Sequence, residues 1–312
     1  ISEPIPVAQT FSFIDEASGI DLSRFSRLDT MVTVVDAFNF YRDFGSADKL
    51  TDRKMVDDLA DKRTIVNLLT DQIEFANVII LNKTDLVDIE TVGVLKAAIK
   101  KLNPGAKLIA ATFGGVNPKE LLHTGLFDFE EAQNAAGWQK ELEAEHHVPE
   151  TEEYGIGSFV FRNKKPFHPE RLWRYLNEEY PVGVIRAKGL FWLLSRPDEA
   201  LNFSQAGGSS RLEQAGVWWC SMSFEERMRY PSFVHNREMI ENRWDQQWGD
   251  RVNELVFIGQ NMDKEQLVSD LESCLITKDE EETISIFQEI KDCVESELQS
   301  HCGKNASTAP VN

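Results

Sequence analysis

The pattern with the clearest chemistry in this sequence is the tetrad Asn82-Lys83-Thr84-Asp85. It follows residues 78–81, which are all apolar, as expected for a strand that is buried on both faces of a parallel sheet. Ligands of doubly wound sheets bind at the carboxyl ends of such strands. An Asp85 carboxylate there can accept hydrogen bonds from N1–H and the exocyclic amine of guanine, a pair of donors that adenine lacks.

The tetrad therefore predicts a guanine-binding loop in which each residue has a role. Asp85 selects the base, the Lys83 stem covers the face of the base, and Asn82 ties the loop to the phosphate-binding loop. The alternative is a capped turn between a strand and a helix, in which the Asp85 carboxylate only accepts hydrogen bonds from backbone amides.

A nucleoside triphosphatase also needs a cradle for the phosphates, commonly the pattern GxxxxGK[ST]. This pattern is absent from the 312 residues, because neither Gly114-Gly115 nor Gly207-Gly208 is followed by Lys-Ser or Lys-Thr. Phosphates and Mg²⁺ supply most of the affinity in such proteins. We therefore expect this chain alone to bind GTP weakly or not at all, and we assign no catalytic residue.

The elements around the tetrad alternate between strand and helix, which is typical of a doubly wound α/β domain with a parallel sheet. Runs of apolar residues predict the strands, and apolar residues at helical spacing predict the helices. The predicted elements are strands at 31–35, 78–81 and 107–112, and helices over 65–73 and 92–102. Asp61 or Thr64 could cap the first of these helices.

The pattern changes beyond residue 154, where strands predominate. The predicted strands are at 156–161, 184–194, 201–205, 216–220 and 254–259. Two helices are expected among them, one beginning at Pro169 and one capped by Asp263 with Gln266. These elements indicate an α+β layer, with the sheet on one side and the helices on the other.

Several segments resemble, in order along the chain, the CobW-like family of P-loop GTPases, which is tied to metal delivery. In the first half they are residues 1–8, which read ISEPIPVA, and residues 71–77, which run into the tetrad. In the second half they are residues 167–172, 186–189, 204–207, 218–219 and 249–259. Residues 149–156 resemble the subgroup associated with zinc limitation.

This resemblance implies a fold and a division into domains. The fold would be part of a Ras-like doubly wound parallel-sheet GTPase domain, followed by a smaller α+β CobW C-terminal domain. The predicted regions are 1–138 for the GTPase part, 139–153 for a linker, 154–277 for the C-terminal domain, and 278–312 for an acidic amphipathic helix with a disordered tail.

The resemblance also implies GTP hydrolysis coupled to delivery of a metal, zinc in this subgroup, to a client metalloprotein. The intact protein would use GTP, Mg²⁺ and Zn²⁺. The family's phosphate loop, Mg²⁺ ligands and CxCC metal motif lie upstream of Ile1, so they do not carry over. Only Asn82, Lys83 and Asp85 carry over as nucleotide-binding residues, with Ala111 and Thr112 in the second base-side loop.

Two kinds of alternative stay open. The metal could be cobalt for cobalamin synthesis, or iron or cobalt for nitrile hydratase, or the chain could be a non-catalytic protein-binding adaptor derived from such a GTPase. Without the family's upstream strands, the strands near Val34 and Ile80 should expose apolar surface, which favours self-association.

The net charge and the cysteine pattern indicate which partners and which cellular compartment to expect. A net charge of -19 makes nucleic acid and anionic membranes poor partners. No apolar run is long enough for a transmembrane helix, and the four cysteines form no CxxC pair. Isolated thiols fit a reducing compartment, so we expect a cytoplasmic protein.

Other titratable residues give weaker candidates. His146 and His147 lie among glutamates and could hold Zn²⁺ transiently, although a solvated linker is the favoured interpretation. A further weak set of soft-metal ligands comprises Cys293, His301 and Cys302. Cys220 and Cys274 are interpreted as core residues, and His168 as a helix cap or surface residue.

A group of basic residues and one aspartate have no assigned function. Arg186, Lys188 and Arg211 could form a basic patch for an acidic client, but ordinary strand-edge charges are the favoured interpretation. Asp36 ends a predicted strand and could approach the nucleotide, although a structural hydrogen bond is the favoured role.

Overall fold

Two sheets of different kinds organise the chain. In the computed structural model, which describes residues 3–11, 14–15, 20–21, 24–46, 48–50, 52, 64–133, 136–143 and 153–282, one sheet has three parallel strands and the other has five antiparallel strands. A two-residue antiparallel pair completes the described strands.

The first half contains the parallel sheet, with strand order β3-β4-β5. Its elements are α1 (Pro4–Thr10), β1 (Ile14–Asp15), β2 (Ile20–Asp21), β3 (Val32–Asp36), α2 (Phe40–Phe44), α3 (Ile65–Glu74), β4 (Val78–Asn82), α4 (Ile89–Leu102), β5 (Lys107–Ala110), α5 (Phe129–Gln133) and α6 (Gly137–Glu143). The five elements predicted in this half are present, although β5 ends at Ala110 instead of Thr112 and α4 begins at Ile89. Strand β4 is buried along residues 78–81, as its apolar run predicts.

The second half contains the antiparallel sheet, with strand order β6-β10-β7-β8-β9. Its elements are β6 (Ile156–Asn163), α7 (Pro169–Arg174), β7 (Val184–Leu193), β8 (Arg196–Ala206), β9 (Ser209–Val217), α8 (Phe224–Arg227), α9 (Pro231–Asn242), β10 (Asn253–Gln260) and α10 (Lys264–Ser273). Helix α7 begins at Pro169, and Asp263 caps α10 by accepting a hydrogen bond from the Gln266 amide (3.0 Å).

Some local predictions for the second half are wrong. The strand expected at 216–220 ends at Val217, because the amides of Trp219 and Cys220 donate to the Asp250 carboxylate (2.9 and 2.8 Å) and the chain turns there. Helices α8 and α9 were not predicted. Their signals are a capping box at Ser223 and a first-turn proline, Pro231, but α9 carries a weak apolar pattern.

The side chains of the antiparallel sheet alternate between two cores. On strand β10, Leu255 and Phe257 pack with α7 and α10, whereas Val256 and Ile258 pack with the helices and strands of the first half. This alternation follows from the two-residue period of a strand. The sheet is therefore covered on both faces, and the first half of the chain is one of its covers.

A buried ion pair joins the two halves. The Arg186 guanidinium on β7 donates to both carboxylate oxygens of Glu74 on α3, at 2.8 and 3.1 Å, and both side chains are buried. Arg186 also donates to the Ser204 hydroxyl (2.9 Å). The interpretation of Arg186 as a strand-edge charge or part of a basic patch is therefore wrong.

Polar contacts surround this pair along the junction of the halves. The Thr64 hydroxyl donates to the Ser209 hydroxyl (3.0 Å) instead of capping its own helix α3. The Ser158 hydroxyl donates to Glu141 on α6 (2.6 Å), and the Gly208 amide donates to the Phe44 carbonyl (3.2 Å).

The junction is connected to strand β4 through a buried asparagine. The Asn103 side-chain amide, at the end of α4, donates to the carbonyls of Ile73 (2.8 Å), Glu74 (3.1 Å) and Ala76 (2.9 Å). These carbonyls belong to the end of α3 and to the turn that leads into β4. The segment between the ion pair and the start of β4 is therefore held by three hydrogen bonds.

Strand β3 is an edge of the described parallel sheet and exposes apolar side chains. Val34 is 59% exposed and Val32 is 36% exposed, whereas Ile80 on the central strand is buried. The predicted exposure of apolar surface is thus confirmed for β3 and wrong for Ile80, which β3, β5 and the helices cover.

A small cavity of about 270 Å³ lies beside the ion pair and contains charged groups from both halves. Asp71, Glu74 and Lys188 line it, together with Glu3 and Trp138. Burial, and then the Glu74 charge, raise the pKa of Asp71 to about 6. Burial lowers the pKa of Lys188, whose ammonium lies 4.3 Å from the centroid of the Trp138 ring.

Replacing one partner of the ion pair should be far more harmful than replacing both. Arg186→Met or Glu74→Leu leaves an uncompensated buried charge, and each should lower the free energy of unfolding by about 3–5 kcal/mol. The double variant should lie close to the wild-type value. Urea denaturation checks this, with Arg211→Met as a control, because Arg211 is exposed. Additive losses in the double variant would contradict the coupling.

The raised pKa of Asp71 predicts a specific pH dependence of stability. The unfolded carboxyl titrates near pH 4, so between about pH 4 and pH 6 the folded state binds the additional proton, and stability falls as the pH rises through this window. Asp71→Asn should remove this slope and be more stable than wild type at pH 7. Urea denaturation across the window checks this, with exposed Glu265→Gln as the control. An unchanged slope would be the contrary result.

Candidate functional site

The carboxyl edge of the parallel sheet brings the tetrad together with two other chain segments. Asp36 at the end of β3 is the register partner of Asn82, and Leu81 is the partner of Ala110 at the end of β5. Because the strands are parallel, all three end at the same edge. The residues that follow them therefore lie close to one another.

Lys83 is held in a fixed position by Asp36. Its backbone is left-handed (φ 61°), and its ammonium donates to Asp36 Oδ2 at 2.6 Å. The Asn39 side chain donates to the same oxygen (2.7 Å). Burial raises the pKa of Asp36, but the hydrogen bonds from Lys83 and Asn39 outweigh it and hold that pKa below its usual range.

The loop after β5 is tied to the tetrad. The Asn82 side-chain oxygen accepts a hydrogen bond from the Gly114 amide (3.0 Å), and Thr84 donates to the Ala111 carbonyl through both its amide (3.3 Å) and its hydroxyl (3.1 Å). Ala111 is buried and Thr112 is exposed. The predicted site residues of the two loops therefore lie side by side.

Asp85 projects from a short 3-10 turn, Thr84–Leu86, and is exposed. Within the described part of the chain, no group donates a hydrogen bond to its carboxylate. The turn therefore does not use Asp85 as a cap for its own amides. The carboxylate is free to accept hydrogen bonds from a bound molecule.

Phe113 belongs to the same edge, and the sequence reasoning missed it. Its side chain is 93% exposed, and its backbone is left-handed (φ 52°), followed by Gly114 at φ 69°. A left-handed backbone is unfavourable for an aromatic residue, and such strain is concentrated at functional sites. The signal in the sequence is an aromatic residue directly before a Gly-Gly pair at the end of a strand.

The weaker candidates do not assemble into a metal site. His146, His147, Cys293, His301 and Cys302 lie outside the described residues. Within the described ranges, no three His, Cys, Asp or Glu residues are grouped so that they could hold a metal ion.

The other candidates have structural positions. Cys274 is buried, and Cys220 is half-buried, with burial raising the pKa of its thiol to about 11. His168 precedes α7 without capping it, and its Nε2 lies 3.9 Å from Glu280. Among the described helices, none has both the length and the apolar character needed to cross a bilayer.

Comparison with known families identifies both halves. Residues 1–110 match the family model for the CobW/HypB/UreG nucleotide-binding domain, and residues 156–275 match that for the cobalamin synthesis protein cobW C-terminal domain. The chain belongs to the CobW family. The parallel sheet lies in the nucleotide-binding domain, and the antiparallel sheet is the CobW C-terminal domain.

Curated CobW relatives are longer than this chain. Zinc-regulated GTPase metalloprotein activator 1 of Dictyostelium discoideum is 42% identical over 280 residues, which are 89% of this chain and 58% of that protein. A zinc chaperone of Mycobacterium tuberculosis is 28% identical over 72% of this chain and 52% of its own length. The chain thus spans somewhat more than half the length of these two relatives.

A solved structure of Zn(II)-bound YjiA GTPase from E. coli is also similar. It shares 20% identity over 88% of this chain and 68% of its own, with a TM-score of 0.33. A score this low supports no argument about the site.

Glycine at position 113 should stabilise the protein. Phe113→Gly removes a left-handed aromatic residue, which costs about 1–2 kcal/mol, and adds about 0.5–1 kcal/mol of chain entropy to the unfolded state. We expect a net gain of about 0.5 kcal/mol in urea denaturation, because the exposed ring contributes little packing. Phe38→Gly is the control, since Phe38 is exposed at the same edge without a positive φ. A clear loss of stability in Phe113→Gly, without a similar loss in Phe38→Gly, would contradict backbone strain at Phe113.

Proposed function

We propose that this chain recognises the guanine base of GTP within a zinc metallochaperone that works in a GTP-dependent manner. The proposal rests on the exposed Asp85 carboxylate, to which no described residue donates a hydrogen bond. It lies in the same loop as the Lys83 ammonium, which Asp36 holds in place. Because the chain spans only part of its curated relatives, the activity of the whole protein is part of the proposal.

The groups at this edge complement the hydrogen-bonding pattern of guanine. Asp85 accepts from N1–H and the exocyclic amine of the base. The amides of Thr112 and Phe113 donate to no described residue, so they are available for the O6 carbonyl. The Lys83 stem covers one face of the base, and the Phe113 ring can stack on it. Asn82 keeps the two loops together by accepting from the Gly114 amide.

Zinc enters the proposal as cargo. It is supported by the names of the relatives, a zinc-regulated GTPase metalloprotein activator and a zinc chaperone. We propose a client metalloprotein as the recipient and Mg²⁺ as the companion of the GTP phosphates. His146 and His147 stay a prediction as zinc ligands. The CobW C-terminal domain would respond to the nucleotide through the Arg186–Glu74 pair.

Replacing Asp85 should change which base is bound. Asp85→Asn keeps one acceptor oxygen but replaces the other by an NH₂ donor that faces a guanine donor, and guanosine affinity should fall about tenfold or more, since a hydrogen bond to a charged group contributes about 1.5–3 kcal/mol. The amide of the variant can donate to the C2 carbonyl of xanthine, so xanthosine binding should rise. Amide chemical shifts at residues 82–85 and 112–114 during nucleoside titrations check this, with adenosine as the negative control.

The outcomes separate the base site from the zinc function. Equal shifts with guanosine and adenosine, or an Asp85→Asn variant with unchanged preference, would contradict guanine recognition. In the protein with its phosphate-binding region present, zinc affinity against a chromophoric chelator should differ between GTP and GDP. In the Asp85→Asn variant, zinc affinity should instead differ between xanthosine triphosphate and xanthosine diphosphate. Identical zinc affinities in all nucleotides would contradict the metallochaperone role alone.

A further inference from the structure

Strand β9 is one edge of the antiparallel sheet in the CobW C-terminal domain, and its side chains are exposed on both faces. Within the described residues, β8 is the only strand that pairs with it, and residues 210–215 are all exposed. An edge strand presents a row of backbone N–H and C=O groups to which a further strand can bond. The free side of β9 is therefore a possible site for strand pairing.

The backbone groups that point away from the sheet can be identified from the neighbouring strands. Gly207, directly after β8, donates from its amide to the Ile185 carbonyl of β7 (3.0 Å). Backbone groups alternate in direction along a strand, so the odd-numbered residues of β8 bond β7 and the even-numbered residues bond β9. Ser204 of β8 is the register partner of Arg211, so the odd-numbered residues of β9 face β8. The outward residues of β9 are then Ser210, Leu212 and Gln214.

The outward groups lie in a short window of regular strand. Residues 209–214 of β9 pair one to one with β8, and the register then shifts by one residue between Gln214 and Gly216. A bulge of this kind bends the strand and interrupts regular pairing. The outward groups therefore occupy the window 210–214, whose central residue is Leu212.

The side chains of this window divide between the two faces of the sheet. Arg211 and Glu213 lie on one face, where they form an ion pair (3.4 Å) and are 42% and 55% exposed. Leu212 lies on the other face and is 54% exposed. Its partner on β8 is Phe203, which belongs to the core that the sheet forms with helices α7 and α10. The centre of the edge is thus an apolar residue flanked by opposite charges.

This pattern is complementary to itself in one antiparallel register. Outward groups must meet outward groups, so a two-fold axis has to pass through a residue of the window. An axis at Arg211 would place two arginines opposite each other, and an axis at Glu213 would do the same with two glutamates. An axis at Leu212 places Arg211 opposite the partner's Glu213, and Glu213 opposite the partner's Arg211. An axis at either end of the window leaves fewer residues paired.

We propose that two copies of this chain pair through strand β9, antiparallel and about a two-fold axis at Leu212, so that their antiparallel sheets become one continuous sheet. The occupant of the edge is a second copy, because the charges of the window complement themselves in the register that uses all the outward groups. The two Leu212 side chains meet on the apolar face beside Phe203. Apolar pairs and opposite charges across neighbouring strands both stabilise a sheet.

Analytical ultracentrifugation of the chain tests this pairing. At physiological ionic strength, salt screens the repulsion between two molecules that each carry a net charge of -19. The mass should rise with concentration from that of one chain towards that of two. R211E brings glutamates together at two positions of the interface, and E213R brings arginines together there. Each should raise the dissociation constant of the dimer about tenfold or more.

Mixing the two variants separates a lost contact from misfolding. R211E has only acidic side chains at positions 211 and 213, and E213R has only basic ones, so an equimolar mixture should form mixed dimers although neither variant dimerises alone. A misfolded variant could not recover in this way. The matched control pair is R237E and E241R, which reverse an exposed ion pair on helix α9 of the same domain. These two should dimerise like the wild type, alone and mixed.

Hydrogen exchange locates the contact on the strand. The amides of residues 210, 212 and 214 should exchange about tenfold more slowly once the dimer forms, because they then donate to the partner strand. The amides of Arg211 and Glu213 face β8 and should be protected at every concentration. Their protection also shows that β9 is folded in each variant.

Three results would overturn the proposal. The mass of a single chain at all concentrations up to about 1 mM, where even weak dimers form, would show that β9 does not pair with itself. A dimer that R211E and E213R leave unchanged would lie on another surface, such as the exposed apolar edge of β3. Outward amides that are protected in the monomer would show that the same molecule covers this edge.

Discussion

The buried pair between Arg186 and Glu74 is the interaction on which the relation between the two domains depends. Removing two charges from water is unfavourable, and only a two-oxygen geometry with further partners offsets it. Here both carboxylate oxygens of Glu74 are used, and Ser204 accepts a third hydrogen bond from the guanidinium. Such geometry permits one placement of helix α3 on strand β7, because a small displacement would leave a charge uncompensated.

The same helix leads to the nucleotide edge. Glu74 ends α3, Asn103 holds the turn that follows it, and strand β4 then runs directly into the tetrad. The chain between the domain junction and Asn82 is thus short and hydrogen-bonded throughout. This continuity gives the CobW C-terminal domain a physical connection to the guanine-binding loop that we propose.

The sequence predicted correctly those features that depend on residues close together in the chain. The apolar run at residues 78–81 and the tetrad after it required only strand burial and the edge rule for parallel sheets, and the fold class followed from the order of elements. The interpretation of Arg186 failed because its partner lies 112 residues away in sequence. The strand at 216–220 failed because Asp250 captures the amides of that segment. Phe113 escaped notice because its left-handed backbone is set by the tie between Asn82 and Gly114.

The alternation of side chains on strand β10 has a thermodynamic consequence. Leu255 and Phe257 belong to one core, and Val256 and Ile258 belong to the other, so a single strand carries the packing of both. Neither core can melt without disturbing the backbone that supports its neighbour. The two domains, although they contain different kinds of sheet, are thus built to lose their structure together, as one cooperative unit.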